Sequence, residues 1–495
     1  MRKKVFACAV CAVIGLLAAS CAKNEDESNE TLRERSFEAW IQLYAPNAEK
    51  LDGGIYVEKL KSSEQPGALT PADVDTWVMI NYTGRTMASG DVVVTRDPEI
   101  AKYQGTFNYY THYTPDYVPF TPYNSIYYGS DLNLIVGNYL ALGHMKEGDI
   151  WRVYIPSDLA YGSSGYSYEY SGFGGQNALG ANIPVVMDLE LVRVVKDPEK
   201  YEASLVQNYA VGQLNMNLTD TVRTNLYLKP ISFGKDTATI KKDSTVSVYF
   251  VGRFLDGFVF DTNIEDTAKK YNLTQYASSG KYEPISVDVG ASEEEETTSS
   301  NIVIRGMDIA LTKMVYGETA TMVFTSTYGY GSSGQFPTFT ANSSTGSVNR
   351  GTIMPPYTPL VFEVTVAPQY GDGSLLFPYT TYAVQHLLDD EVDGVWVTGY
   401  VNGVVDGSDY KQWIDTLTNI TEAGIKDNLM LGNTNGSGTK PEDCFPVMLP
   451  EGKVRDALNI PDNQGTVFRQ KIKVFGNIRK YKGTRGLVEV TDYRK

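Results

Sequence analysis

Apolar residues recur at helical spacing in two early stretches of the chain. In TLRERSFEAWIQLYAPN (Thr31–Asn47), Phe37, Trp40, Ile41 and Leu43 follow that period and the run stops near a proline, which predicts a helix. DPEKYEASLVQNYAVGQL (Asp197–Leu214) predicts a second. Each is followed by a strand-like run, GGIYVEKL in one case and TNLYLKPI in the other. Past Gln385 the pattern changes. GVWVTGYVNGVVDG (Gly394–Gly407) reads as strand, turn, strand, YKQWIDTLTNITEAG as a helix, and KIKVFGNIRKYKG with RGLVEVTDY as two closing strands.

Between these landmarks the chain repeats itself. LAYGSSG (Leu159–Gly165) is answered by YGYGSSG (Tyr328–Gly334), INYTGR (Ile80–Arg85) by VYFVGR (Val248–Arg253), and VVMDLELV (Val185–Val192) by LVFEVTV (Leu360–Val366). LIVGNYLALGHMKEGD (Leu134–Asp149) is answered by VIRGMDIALTKMVYGE (Val303–Glu318). The anchors Tyr82/Phe250, Gly137/Gly306, Met145/Met314 and Tyr161/Tyr330 are offset by 168, 169, 169 and 169 residues. So constant an offset marks a duplicated unit of short alternating strands with one helix.

The beginning of the chain has another character. MRKK followed by VFACAVCAVIGLLAA is a basic then apolar leader, too short for a membrane span. AASC resembles a lipoprotein-processing site, with Ala18 where leucine is usual, and makes Cys21 the lipidated residue. The acidic AKNEDESNE that follows resembles the export tag of surface lipoproteins in some gut Gram-negative bacteria. A plain acidic tether is the alternative. Loss of Arg2, Lys3 and Lys4 moves the net charge from −16 to −19, which argues against a nucleic-acid partner. Cys8 and Cys11 leave with the leader and Cys21 carries lipid, so Cys444 has no disulfide partner. His112, His144 and His386 are widely spaced, and no Cys/His set has metal-ligand spacing, so no metal and no cofactor is expected.

The second repeat resembles the FK506-binding-protein (FKBP) type of peptidyl-prolyl isomerase. VYFVGRFLDGFVFDTN, PISVDVG, NIVIRGMDIALTKMVYGE, YGYGSSG and IMPPYTPLVFEVTV match that family's pieces in the right order. The resemblance implies an α+β fold, an antiparallel sheet wrapped on one short helix in each repeat. It also implies a proline cup lined by Phe250, Phe260, Phe362, Ile285, Val303 and Ile304, with Met307 as its floor where the family usually has tryptophan. Ile353 and Met354 would form a flap. Asp261, Tyr330 and Phe260 would carry catalysis, Tyr330 donating its hydroxyl to a substrate carbonyl. Phe250 stands where the family has tyrosine, which removes one hydrogen bond. Such a site needs no nucleophile, because an X-Pro amide rotates over a barrier of ~18–20 kcal/mol set by resonance alone. The first repeat keeps Tyr82, Ile135 and Tyr161. It has Val93 and Val94 in place of Phe-Asp, and Asn138 at the floor, so its site is expected to be degenerate.

Four further features bear on partners. The 35 tyrosines concentrate in KYQGTFNYYTHYTPDYVPFTPYNSIYYG (Lys102–Gly129) and YSYEYSGFGG (Tyr166–Gly175), surfaces suited to peptide or sugar, or else two loops packed on each other. Glu293–Glu296 reads as a solvated acidic loop. Asp-Ser/Thr-apolar triplets such as Asp236–Ala238 and Asp220–Val222 resemble short O-glycosylation acceptors. The C-terminal segment, through VWVTGYVNGVV, CFPVMLPEGKVRDALNIPDN and KIKVFGNIRKYKGTRGL, resembles the OB-fold-like modules at the ends of some bacterial surface lipoproteins; it carries a basic island at Lys471, Lys473, Arg479, Lys480, Lys482 and Arg485.

The expected organisation is a signal peptide (1–20), a lipid-anchored tether and helix (21–47), FKBP-like domains at 48–196 and 197–370, and an OB-like barrel at 385–495. The expected protein is an outer-membrane lipoprotein, facing the periplasm or the cell surface. It would act as a prolyl isomerase or folding chaperone of the envelope on proline-containing polypeptides, with its chemistry in the second repeat. The alternative is a non-catalytic surface protein that binds a glycan or an outer-membrane protein.

Overall fold

The computed structural model describes residues 29–71, 76–121, 134–165, 179–234, 238–273, 282–290, 304–335, 352–387, 389–436 and 439–495. The leader, Cys21, Val303, Glu293–Glu296 and Tyr166–Gly175 lie outside them. The chain forms two compact units, Met1–Ser204 with Tyr330–Thr358, and Leu205–Gly329 with Pro359–Lys495.

The first unit opens with helix α1 (Asn29–Tyr44), which buries Phe37, Ile41 and the following Ala45 against Met87 and Tyr154. Leu43, grouped by sequence with the apolar face, is 73% exposed. Six residues past Phe37 is about 240° round a helix, which carries it away from that face. The strands are β1 (Glu49–Lys50), β2 (Tyr56–Lys61), β3 (Trp77–Thr86), β4 (Val92–Thr95), β5 (Asp116–Pro119), β6 (Ile150–Ile155) and β7 (Val185–Val195). They pair antiparallel in the order β1-β2-β6-β7-β3-β4, with β5 also on β3. Between strands lie α2 (Pro98–Gln104), capped by the Asp97 carboxylate, and α3 (Val136–Leu142), whose Ala141 and Leu142 enter the sheet's core.

In the second unit, helix α4 (Pro198–Gly212, begun in the first) supplies Val206 and Ala210 to a cluster with Tyr227, Val323 and Val361. The strands are β8 (Thr221–Arg223), β9 (Leu226–Ser232), β10 (Thr245–Phe254), β11 (Val259–Thr262), β12 (Ile285–Asp288), β13 (Thr319–Phe324) and β14 (Leu360–Val366), with α5 (Glu265–Lys270) and α6 (Arg305–Leu311) between them. Their order, β11-β10-β14-β13-β9-β8 with β12 on β10, repeats that of the first sheet. Even the irregularities recur: a bulge at Gly84/Arg85 in one and at Gly252/Arg253 in the other. The anchor glycines have a steric reason. A Cβ on Gly306 would come within 2.7 Å of the Phe324 ring, and one on Gly137 would run into Ile155. Each helix can sit that close to its sheet only without a side chain there.

The C-terminal strands are β15 (Tyr379–Thr380), β16 (Val392–Val405), β17 (Trp413–Ile414), β18 (Asn428–Gly432), β19 (Cys444–Met448), β20 (Lys471–Tyr481) and β21 (Thr484–Arg494), with helix α7 (Thr381–His386) between the first two. Pairing of β16 with β20 closes β16-β18-β19-β21-β20 into a five-stranded barrel. Two expectations change here. Gly394–Gly407 is not strand, turn, strand: all of it up to Val405 belongs to one 14-residue strand with a bulge near Asn402. Its glycines mark close approach rather than reversal: a Cβ on Gly399 would meet Leu431 at 3.0 Å, and one on Gly403 would strike the Ile414 carbonyl. The helix expected over Tyr410–Gly424 is shorter, Leu417–Ala423, because Trp413 and Ile414 pair with Val405 and Val404. The second repeat is joined to the barrel by a linker in which Phe377 meets Tyr249 at 5.4 Å and the Leu375 carbonyl accepts from Lys473 Nζ at 3.2 Å.

Among the described residues no helix is long and apolar enough to cross a membrane.

Candidate functional site

In the second repeat, β10, β11 and β14 bring three phenylalanines together. Phe362 lies 5.9 Å from Phe250 and 5.7 Å edge-on from Phe260, and Phe324 stacks behind it at 5.9 Å. The approach depends on Gly252, whose Cβ would come within 2.7 Å of Phe260 and 2.9 Å of Phe362. Met307, on α6, is fully buried, and Ile304 caps that helix half-exposed. Ile285 is half-exposed on β12.

Asp261 lies opposite Gly252 on β11. Burial raises its carboxyl to about 6, although an N–H of the Thr262 backbone favours the charged form. A buried carboxylate behaves this way because low-polarity surroundings penalise charge. Asn263 fastens the surrounding backbone: it accepts from Phe250 N at 2.8 Å and donates to the Val248 and Glu283 carbonyls at 3.0 Å each. Tyr330, Ile353 and Met354 belong to the segment that groups with the first unit. Within it Met354 is buried and bridged to Gln335, and Ile353 packs against the first repeat's core.

In the first repeat Tyr82, Tyr161 and Val94 each pack half-buried against a core that includes Val93 and Ile135. It also holds a cluster the sequence reading missed. The Tyr82 hydroxyl donates to Asp116 Oδ2 at 2.6 Å, and Arg96 Nε lies 3.1 Å from Asp116 Oδ1. Asp116 is 3% exposed. Burial first, then the Asp116 charge, pushes the Tyr82 phenol far above its ordinary value, and Tyr161 is near enough to add to the effect. The available signal was the lone acid opening an otherwise apolar strand, DYVP, with Arg96 directly after VVVT.

Residues 236–367 match the family model for FKBP-type peptidyl-prolyl cis-trans isomerase. The second repeat therefore has an FKBP-type peptidyl-prolyl isomerase-like fold. FK506-binding protein 1A of Aspergillus fumigatus is 28% identical over 104 residues, 21% of this chain and 71% of that protein. Among solved structures, the three FKBP domains of wheat FKBP73 are 18% identical, covering 64% of this chain and 95% of that one, with a TM-score of 0.21. FkpA from Escherichia coli is 17% identical, covering 39% and 71%, with a TM-score of 0.23. Residues 379–495 match a domain of unknown function, DUF6359, which takes in the whole closed barrel.

In the barrel, Cys444 is the free cysteine among the described residues, and burial pushes its thiol up to about 12. Among the described residues, two of the six cations of the basic island are ion-paired: Arg479 with Asp393, and Arg485 with Asp390 at 2.6 Å. Lys473 is half-buried, which lowers its ammonium from the usual lysine value.

Proposed function

We propose that the chain is a prolyl isomerase or folding chaperone of the bacterial envelope, acting through its second repeat on proline-containing polypeptides. The observation that carries this reading is the ring cluster of Phe250, Phe260 and Phe362, with the buried Asp261 next to Phe260 on the same strand. Isomerisation requires that the twisted amide be favoured over the planar, solvated one. Apolar walls exclude water from the amide, and a carboxyl beside them can meet the polarity that develops as resonance is lost. Phe260 and Asp261 are the groups assigned to that step, with Ile285, Ile304, Met307 and, by family resemblance, Val303 completing the cup. Tyr330 is assigned the carbonyl contact, and Ile353 and Met354 the flap, on the same resemblance. Lipidation at Cys21, the outer membrane as location and an OB-like role for the barrel rest on the sequence motifs.

The test is X-Pro isomerisation in a peptide assay, with full-length protein beside an Asp261→Ala, Tyr330→Phe double variant. Acceleration by wild type that falls at least tenfold in the double variant supports the reading. Folded protein without acceleration overturns the catalytic reading.

A further inference from the structure

The two repeats carry opposite chemistry at matching positions. Pairing fixes the match: Gly84 faces Val94 and Ile80 faces Asp116, where Gly252 faces Asp261 and Val248 faces Ile285. Tyr82 thus stands in place of Phe250, Asp116 in place of Ile285, and Arg96 in place of Asn263. Both of the latter tie down the same backbone, for Arg96 Nε reaches the Thr114 carbonyl at 3.1 Å as Asn263 reaches Glu283. The carboxylate has moved from the fourth strand of the repeat to the fifth and gained a counter-ion.

Two of the three rings are gone. Gly84 is packed closely by Met187 and Val94, where Gly252 is packed by Phe260 and Phe362. At the helix start Asn138 replaces Met307. It is 2% exposed, and its Oδ1 has no hydrogen-bond partner among the described residues. It shares a helix face with Ala141 and Leu142, three and four residues on, so it turns toward the core on which Tyr82, Val94 and Tyr161 pack.

Arg96 anchors backbone here, but the buried charge and the unpaired amide are not what the sheet requires. A buried ion pair is weak evidence for stability, and an unpaired buried amide oxygen lowers it. The second repeat builds the same sheet with Ile285 and Met307. Arg96 also binds the His112 carbonyl at 2.6 Å, which fastens the tyrosine-rich insertion to this polar centre. There Phe107 stacks on Tyr113 at 5.2 Å and meets Tyr109 edge-on at 5.2 Å, and Tyr103 and Tyr109 are 88% and 53% exposed.

We propose that the first repeat is a carbohydrate-binding site for a neutral sugar residue. Its hydroxyls would engage Tyr82, the Asp116–Arg96 pair and Asn138, and its apolar face Tyr103, Tyr109 and Tyr113. Neutrality follows from the pair, in which Asp116 opposes an anion and Arg96 a cation. A hydroxyl supplies the donor that Asn138 Oδ1 needs. A proline ring supplies none, and the dry cup it would fill has lost Phe260 and Phe362.

The test uses full-length protein and isothermal titration with maltoheptaose, cellohexaose, xylohexaose and an Ala-Ala-Pro-Phe peptide. Wild type is expected to bind at least one of the oligosaccharides saturably at micromolar to low millimolar concentration. Asn138→Met, which installs the second repeat's residue, should melt at an equal or higher temperature and bind that sugar at least tenfold more weakly. Asp261→Asn should bind it unchanged, so failure here is separable from failure of the isomerase reading. No saturable sugar binding overturns the proposal, as does sugar binding that survives in a folded Asn138→Met or Tyr82→Phe variant. Peptide binding lost in those variants would assign the site to polypeptide and overturn it equally.

Discussion

The Tyr82 hydroxyl is 2.6 Å from Asp116, whereas the corresponding pair in the second repeat, Phe250 and Ile285, has no polar atom in either side chain. One duplicated sheet thus supports a polar centre and an apolar one. The difference rests on single residues at fixed register, which makes it open to substitution.

Arg96→Met leaves the Asp116 charge buried without its counter-ion. Removing one partner of such a pair costs ~3–5 kcal/mol. The expected result in urea denaturation is a loss of that size from the first repeat's transition. The Arg96→Met, Asp116→Leu double variant should regain most of it. Equal losses in single and double variants would show that the pair is not coupled.

Asp261 should impose a pH dependence on the second repeat. Its folded carboxyl, at about 6, lies above the ordinary 3.8. The folded state then holds its proton more tightly, so stability falls as pH rises from about 4 to about 6 and stays lower above that. The full difference is ~3 kcal/mol, at 1.36 kcal/mol for each pH unit. Asp261→Asn should be more stable than wild type at pH 7.5 and flatter between pH 4 and 6, measured by chemical denaturation at several pH values.

Cys444 should be inert in the folded barrel. It is 2% exposed and its thiol is pushed up to about 12, so thiolate is scarce at pH 8. With Cys8, Cys11 and Cys21 replaced by serine, Ellman's reagent should find no reactive thiol in native protein and one in denaturant. Fast native labelling would contradict the burial.

Gly403→Ala should weaken the barrel. The added methyl meets the Ile414 carbonyl across the β16–β17 pair. Overpacking of this kind costs ~1–3 kcal/mol. Gly424→Ala tests a different term, since Gly424 ends its helix at φ 65 with open space around its Cβ position. Its cost is backbone strain alone and should be the smaller of the two in thermal denaturation.

What the sequence by itself determined was the duplication, the helix-then-strand start of each repeat, and the likeness of the second repeat to a known fold. These are local properties: period, glycine placement and the order of short motifs survive in one dimension. Gly137 and Gly306 are legible for the same reason, since close helix–sheet packing tolerates no other residue there. That Phe250 and Phe260 share one hairpin was also legible, because they lie within a dozen residues of each other. The tertiary structure alone decided the rest. Tyr82 and Asp116 are 34 residues apart, with a tyrosine-rich insertion between them, and only the pairing of β5 with β3 brings the carboxylate to the phenol. A strand's two faces are set by register, so whether a lone Asp points at water or at a buried arginine cannot be read from its neighbours. Gly399 and Gly403 misled for a related reason: the same residue that permits a turn also permits another strand to pass close by, and the choice belongs to the barrel.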